Sequence, residues 1–171
     1  MSAQDSLWTS TSLTQGNELR PRSRPPASDT VDSSQALTSL RRHITARTDA
    51  RVVVGGQLSG HQGAMPGVLE EALLPLQDGR PLYVAAGFGG AAAAIARVLG
   101  RDVPDWAPPD FPSGADAASV ALQQLTDVAA NTVATEDGLE DAERRQLAVT
   151  RRPGDIAALV ALGLSRLQRR L

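Results

Sequence analysis

The chain has no cysteine and no lysine, and only two histidines among its 171 residues. The first absence excludes disulfides and thiolate metal ligands; with His43 and His61 as the only imidazoles, no metal site is expected. All 17 basic residues are arginine, a bias that, beside the many alanines, fits a GC-rich genome rather than an adaptation. A formal net charge of −2 gives no reason to expect a nucleic-acid partner. No run approaches the ~18 apolar residues of a membrane helix. The N-terminus lacks the charged start and apolar stretch of a signal peptide, so neither a membrane partner nor export is expected, and cytoplasm is the default compartment.

Residues 49–97 carry the organisation, reading strand, glycine-rich loop, helix, strand, glycine-rich loop, helix. Val52, Val53 and Val54 form a β-branched run that stops at Gly55 and Gly56, as a buried parallel strand ending at a crevice would. Gly60, Gly63 and Gly67 follow among small and polar residues, and Pro66 suits a helix start because its missing N–H would be unpaired there. The second cycle runs from the apolar residues 82–85 through Gly87, Phe88, Gly89 and Gly90 into an alanine-rich helix. In an open parallel sheet both glycine loops sit at the carboxyl ends of the strands, where such folds hold ligands. Glycine lets backbone N–H groups approach an anion, and a helix N-terminus adds partial positive charge. The glycines therefore make either tight turns alone or a phosphate cradle, and the sequence leaves both open.

Elsewhere, residues 1–34 read as a flexible Ser/Thr/Pro/Arg-rich tail, with an edge strand or docking patch around Trp8 as the alternative. Ser33 or Ser34 is placed to cap a helix over residues 35–47, with Leu37, Leu40 and Ile44 on one face and Arg41 and Arg42 beside it. For those arginines a solvated role competes with a reach over the crevice. The helix from Pro66 puts Val68, Leu69, Ala72, Leu73 and Leu76 on its apolar face and is expected to kink or stop near Pro75. Glu70 and Glu71 lie in its second turn. They read from spacing as surface glutamates, and alternatively as carboxylates for a ribose hydroxyl or a developing cationic sugar carbon. The segment with Trp106 and Phe111 is an extended connection whose aromatics are expected to staple onto the core rather than form a lid. Three further helices follow: one starting at Ser113 or Asp116, one over residues 139–150, and one after Pro153 whose stripe ends in Leu167 and Leu171. The expected organisation is the tail, a core over residues 35–112, and a helical C-terminal part of the same domain over residues 113–171. Two strands alone do not make a stable sheet, so the tail, a second copy of the chain, or a longer version of the domain would have to supply more.

The run from Leu40 through Ile95 resembles the SLOG superfamily, which takes in DprA-type and LOG domains, and most closely the SLOG domains of bacterial conflict and signalling systems associated with TIR-type effectors. Thr48, Asp49 and Ala50 match the family's SDA-like run, and Gly55 and Gly56 match the paired glycines of PGGxGTxxE. Pro66 and Gly67 follow after an insertion, Glu70 or Glu71 stands at the glutamate, and Arg41 falls near the basic residues of the preceding helix. GFGGAA is typical of the signalling branch. The resemblance covers about residues 36–100. It implies an α/β fold with a partial Rossmann-like parallel sheet, flanking helices and a helical C-terminal region. It also implies a nucleotide-derived ligand such as an ADP-ribose or NAD relative, with no further cofactor. Arg41, Gly55, Gly56, Gly60, Gly63, Gly67, Gly87, Phe88, Gly89 and Gly90 would bind it. A LOG-type hydrolase of nucleoside monophosphates, with Glu71 or Glu70 as the catalytic carboxylate, is the alternative. A degenerate protein serving only in assembly is a third. A homo-oligomer and a TIR-type or other effector complete the expected partners.

Overall fold

The computed structural model describes residues 32–107, 116–131 and 136–170. Expectations that fall on Trp8, Phe111, Ser113 and Leu171, and on most of the tail, lie outside these residues. The β-branched run forms β1 (Arg51–Val54), which pairs in parallel with β2 (Leu82–Ala85), Val53 standing opposite Val84. Among the described residues these are the only two strands. Six α-helices accompany them: α1 (Ser33–Thr45), α2 (Gly67–Gln77), α3 (Gly90–Val98), α4 (Ala117–Asn131), α5 (Asp141–Val149) and α6 (Pro153–Gln168). The protein is thus mixed α/β, with a parallel sheet and a helical C-terminal region.

The helix starts follow capping chemistry. Asp32, rather than a serine, accepts the Ser34 N–H at 3.0 Å, which begins α1 two residues earlier than the periodicity suggests. Asp116 accepts the Ser119 N–H at 2.8 Å at the head of α4. Glu140 and Glu143 form a reciprocal capping box before α5, and Pro153 occupies the first turn of α6. In α2 the helix runs only two residues past Pro75 before it ends.

The sheet divides two cores. Val53, Leu82 and Val84 face α2, α3 and α4, where Leu69, Leu73, Ile95, Leu122 and Leu125 close the interior. Ala91, Ala92, Ala93, Ala94 and Ala96 of α3 are all buried, so small side chains bring that helix close to the sheet. On the other face, Tyr83 and Ala85 pack with Leu139, Leu147 and Leu159 from the α5–α6 region. The Tyr83 hydroxyl donates to the Asp137 carbonyl at 2.7 Å, and the buried Asp137 carboxylate accepts a bidentate pair from Arg144 at 2.9 and 3.0 Å.

Cover over β1 is uneven, which corrects the expectation of a fully buried strand. Only Val53 is buried; Val52 and Val54 are 38% and 44% exposed and line an open apolar groove with Phe88, Ile156, Val160 and Leu164. The stripe of α1 is likewise not taken into the core: Leu40 is 53% and Ile44 38% exposed. No helix among the described residues is long and apolar enough to cross a membrane.

Candidate functional site

The two glycine turns meet at the carboxyl edge of the sheet, and Gly56 is the wedge between them. Its φ of +94° suits glycine, and a Cβ there would lie 2.5 Å from Val68 Cγ2 in the first turn of α2 and 3.2 Å from Ala91 Cβ in the first turn of α3. The turns are also bonded to each other. The Ala91 N–H donates to the Gly56 carbonyl at 2.9 Å and the Ala92 N–H to the Gly55 carbonyl at 2.7 Å, while Gly90, at φ +61°, sits against the Gly56 carbonyl with no room for a side chain.

This convergence changes where an anion fits. The Ala91 and Ala92 amides in the first turn of α3 are spent on the neighbouring turn, and Gly89 donates its N–H to the Ala86 carbonyl at 2.8 Å. Gly87 is buried against the backbone of Val149 and Thr150, and its carbonyl accepts from Arg151 Nε at 2.8 Å, so its role is packing. Phe88 turns its exposed ring to the apolar groove beside α6. Of the amides expected to cradle a phosphate at this turn, that of Gly89 is therefore already spent, as are those of Ala91 and Ala92 beside it.

The start of α2 is different. Pro66 supplies no side-chain cap, and among the described residues the N–H groups of Gly67, Val68 and Leu69 have no acceptor. Arg41 reaches this end from α1: a Cβ on Gly67 would lie 2.5 Å from its Nη2, and one on Gly63 3.4 Å from its Nη1. The guanidinium is held by Glu70, Nη1 to Oε2 at 2.7 Å, and lies 3.5 Å from Glu71 Oε1 through Nε. Arg51 approaches the other Glu71 oxygen at 3.8 Å and donates to Thr45 Oγ1 at 3.3 Å, and its buried Nε has no hydrogen-bond partner among the described residues. Spacing had made both glutamates surface residues. Glu70 is instead buried at 4% exposure, and Glu71 is the more open of the two. The arrangement joins a positive helix end, an oriented guanidinium and two carboxylates.

Between the turns, residues 57–65 form an irregular loop. His61 Nδ1 hydrogen-bonds the Gly63 carbonyl at 2.9 Å, Leu58 and Met65 pack against the core, and Gly60, at φ +71°, has open space around it.

Two residues of this edge were not marked by the sequence as site residues. Trp106 is 50% exposed, neither a core staple nor buried. Its ring edge lies over the second turn, since a Cβ on Gly89 would stand 3.0 Å from Cζ3 and 3.1 Å from Cη2. The Arg151 guanidinium stacks 4.0 Å from the ring centroid. The tryptophan was visible as an unusual residue in a proline-rich stretch; Arg151 carried no local signal.

The model of a protein family described as SLOG cluster2 matches residues 6–150, reaching well beyond the stretch that carries the resemblance in sequence. No curated protein and no solved structure matches the chain.

Proposed function

The chain belongs to the SLOG cluster2 family, and from that premise we propose that it is a binding module for a nucleotide derivative of the ADP-ribose or NAD kind, serving a bacterial signalling or defence system. Family membership by itself suggests a nucleotide-related or LOG-like domain. The observation that carries the finer reading is the meeting of Arg41 with the uncapped start of α2. Three backbone N–H groups without acceptors among the described residues and the positive end of the helix favour an anion there. Glu70 occupies one edge of the guanidinium and leaves Nη2 beside Gly67, so a phosphate at this end would find both a charge and amides. Glu71, more exposed and on the same turn, is placed to accept from a ribose hydroxyl. Homo-oligomerisation and coupling to a TIR-type or other effector belong to the same proposal and are read by a size measurement with and without ligand.

A hydrolase of the LOG type is the second reading, and one observation favours it. Glu71 stands between two guanidiniums, 3.5 Å from Arg41 and 3.8 Å from Arg51, while Glu70 fixes Arg41 from below. A carboxylate held in this way is suited to the cationic sugar carbon that forms as an N-glycosidic bond breaks. One experiment separates the readings: purified protein is incubated with AMP, NAD and ADP-ribose while released base and thermal shift are both measured. A melting shift without turnover is the result expected of a sensor. Base release that is lost in Glu71→Ala supports the hydrolase. No shift and no release refute both.

A further inference from the structure

Trp106 is the anomaly of the carboxyl edge. It is half exposed, touches a glycine turn instead of the core, and is held in place by a cation. Its two supports are themselves anchored. Arg151 lies 4.0 Å from the ring centroid while its Nε donates to the Gly87 carbonyl at 2.8 Å, so the stacked guanidinium is tied to the turn the ring rests on. Gly89 at φ +76° gives the ring edge its seat, because a side chain there would stand 3.0 Å from the indole. A large aromatic surface fixed this firmly and left open is a surface prepared for another planar group.

The position of the ring relative to the start of α2 says which group. Trp106 rests on Gly89; Gly90, the next residue, sits against the Gly56 carbonyl; Gly56 touches Val68; and Gly67, beside Val68, carries the Arg41 guanidinium. The path crosses from the head of α3 to the head of α2, and packed helices are generally spaced by about 10 Å, the scale of a single nucleotide laid along the rim. Phe88 is the other exposed aromatic of this turn, but it faces the apolar groove beside α6 and does not share the path.

We infer that Trp106, clamped by Arg151 over the Gly89 turn, is the platform on which the aromatic base of the nucleotide stacks. The inference rests on the reading of the α2 start as the phosphate end of the site. It gives the base of that ligand its seat, and makes Trp106 the residue that tells a nucleotide from ribose 5-phosphate.

The test exploits the presence of only two tryptophans in the chain. In a Trp8→Phe background Trp106 is the sole indole emitter, and the protein is titrated with AMP, ADP-ribose, NAD and ribose 5-phosphate while emission and melting temperature are followed. AMP or ADP-ribose should quench the emission and ribose 5-phosphate should not, although it too should raise the melting temperature. Trp106→Ala should weaken the nucleotides by about 5- to 150-fold, the range for loss of one aromatic–base stack, and leave ribose 5-phosphate unchanged. Trp106→Phe, which keeps an aromatic ring over the Gly89 turn but a smaller stacking face, should fall between. If all four probes raise the melting temperature with no quenching and no dependence on Trp106, the stacking inference is overturned while the phosphate end stands. If no probe produces a shift, the phosphate end itself is refuted, and the inference falls with it.

Discussion

Gly56 bears on stability and on the site at once, and Gly56→Ala tests both against Gly60→Ala as a matched control. Both glycines have positive φ, +94° and +71°, so alanine at either meets backbone strain of about 1–2 kcal/mol. Reduced freedom of the unfolded chain offsets about 0.4–1 kcal/mol of that. At Gly60 nothing lies within 4 Å, and the account ends there, at a net loss of about 1 kcal/mol. At Gly56 the new methyl would stand 2.5 and 2.9 Å from Val68 and 3.2 Å from Ala91, so two helix heads must separate, and forced repacking of this kind adds about 1–3 kcal/mol. Urea denaturation should therefore show Gly56→Ala to be destabilised by about 2–4 kcal/mol, and thermal melts should fall by about 5–15 °C against 2–4 °C for Gly60→Ala. Separation of the helix heads would also strain the Gly56–Ala91 and Gly55–Ala92 bonds, so nucleotide-induced melting shifts should shrink in Gly56→Ala. Equal losses in the two variants, within about 0.5 kcal/mol, would refute the wedge.

Three further outcomes follow from pairs and burial. Arg41→Ala leaves the buried Glu70 carboxylate without its 2.7 Å partner and should cost about 3–5 kcal/mol by denaturation, whereas Arg42→Ala, on the exposed side of the same helix, should cost under about 0.5 kcal/mol. Asp137→Ala removes the one buried carboxylate facing both Arg144 and Arg101 and the acceptor of the Leu139 N–H; burial already holds the Arg101 guanidinium below its ordinary range, so the loss should again reach about 3–5 kcal/mol, and Asp137→Asn, which keeps an acceptor, should lose less. Burial, and then the Asp137 carboxylate, push the Tyr83 hydroxyl up to about 12. The unfolded chain loses that proton near pH 10, so stability is complete below about 10 and falls between about 10 and 12 by ~2–3 kcal/mol. Alkaline urea melts should show that slope and Tyr83→Phe should flatten it.

How far the fold was legible depends on how local each signal is. β1, α2 and α3 could be read because a β-branched run ending in glycines and an apolar repeat from Pro66 are properties of neighbouring residues. Periodicity marks which face of an element is apolar but not whether anything covers it, which is why Leu40, Ile44, Val52 and Val54 read as core residues and are found exposed. Glu70 was misplaced for a related reason: its burial depends on Arg41, 29 residues earlier, reaching across from another helix. The spending of the Ala91 and Ala92 amides on Gly55 and Gly56 follows from the fit of two loops, which neither loop's composition contains. Trp106 and Arg151 meet only because the α5–α6 joint braces the Gly87 turn, an approach with no local trace.

The insertion before Pro66 gives these observations a common cause. In the compact PGGxGTxxE run a single tight turn would deliver strand end, glycines and helix start together. Here residues 57–65 separate Gly56 from Pro66, so the start of α2 cannot be positioned by the turn itself. Two contacts do that work instead. Val68 presses on Gly56 from one side, and Arg41, with Glu70 at its back, presses on Gly63 and Gly67 from the other. The loop between is left with little to hold: the His61–Gly63 bond, the packing of Leu58 and Met65, and open space at Gly60. One wall of the site is thus braced by hydrogen bonds, the turns of Gly55, Gly56 and Gly90, and the other is a loop with few internal bonds. On that division, the start of α2 and Arg41 would take the phosphate, and ligand discrimination would lie in the loop and in Trp106 over the Gly89 turn.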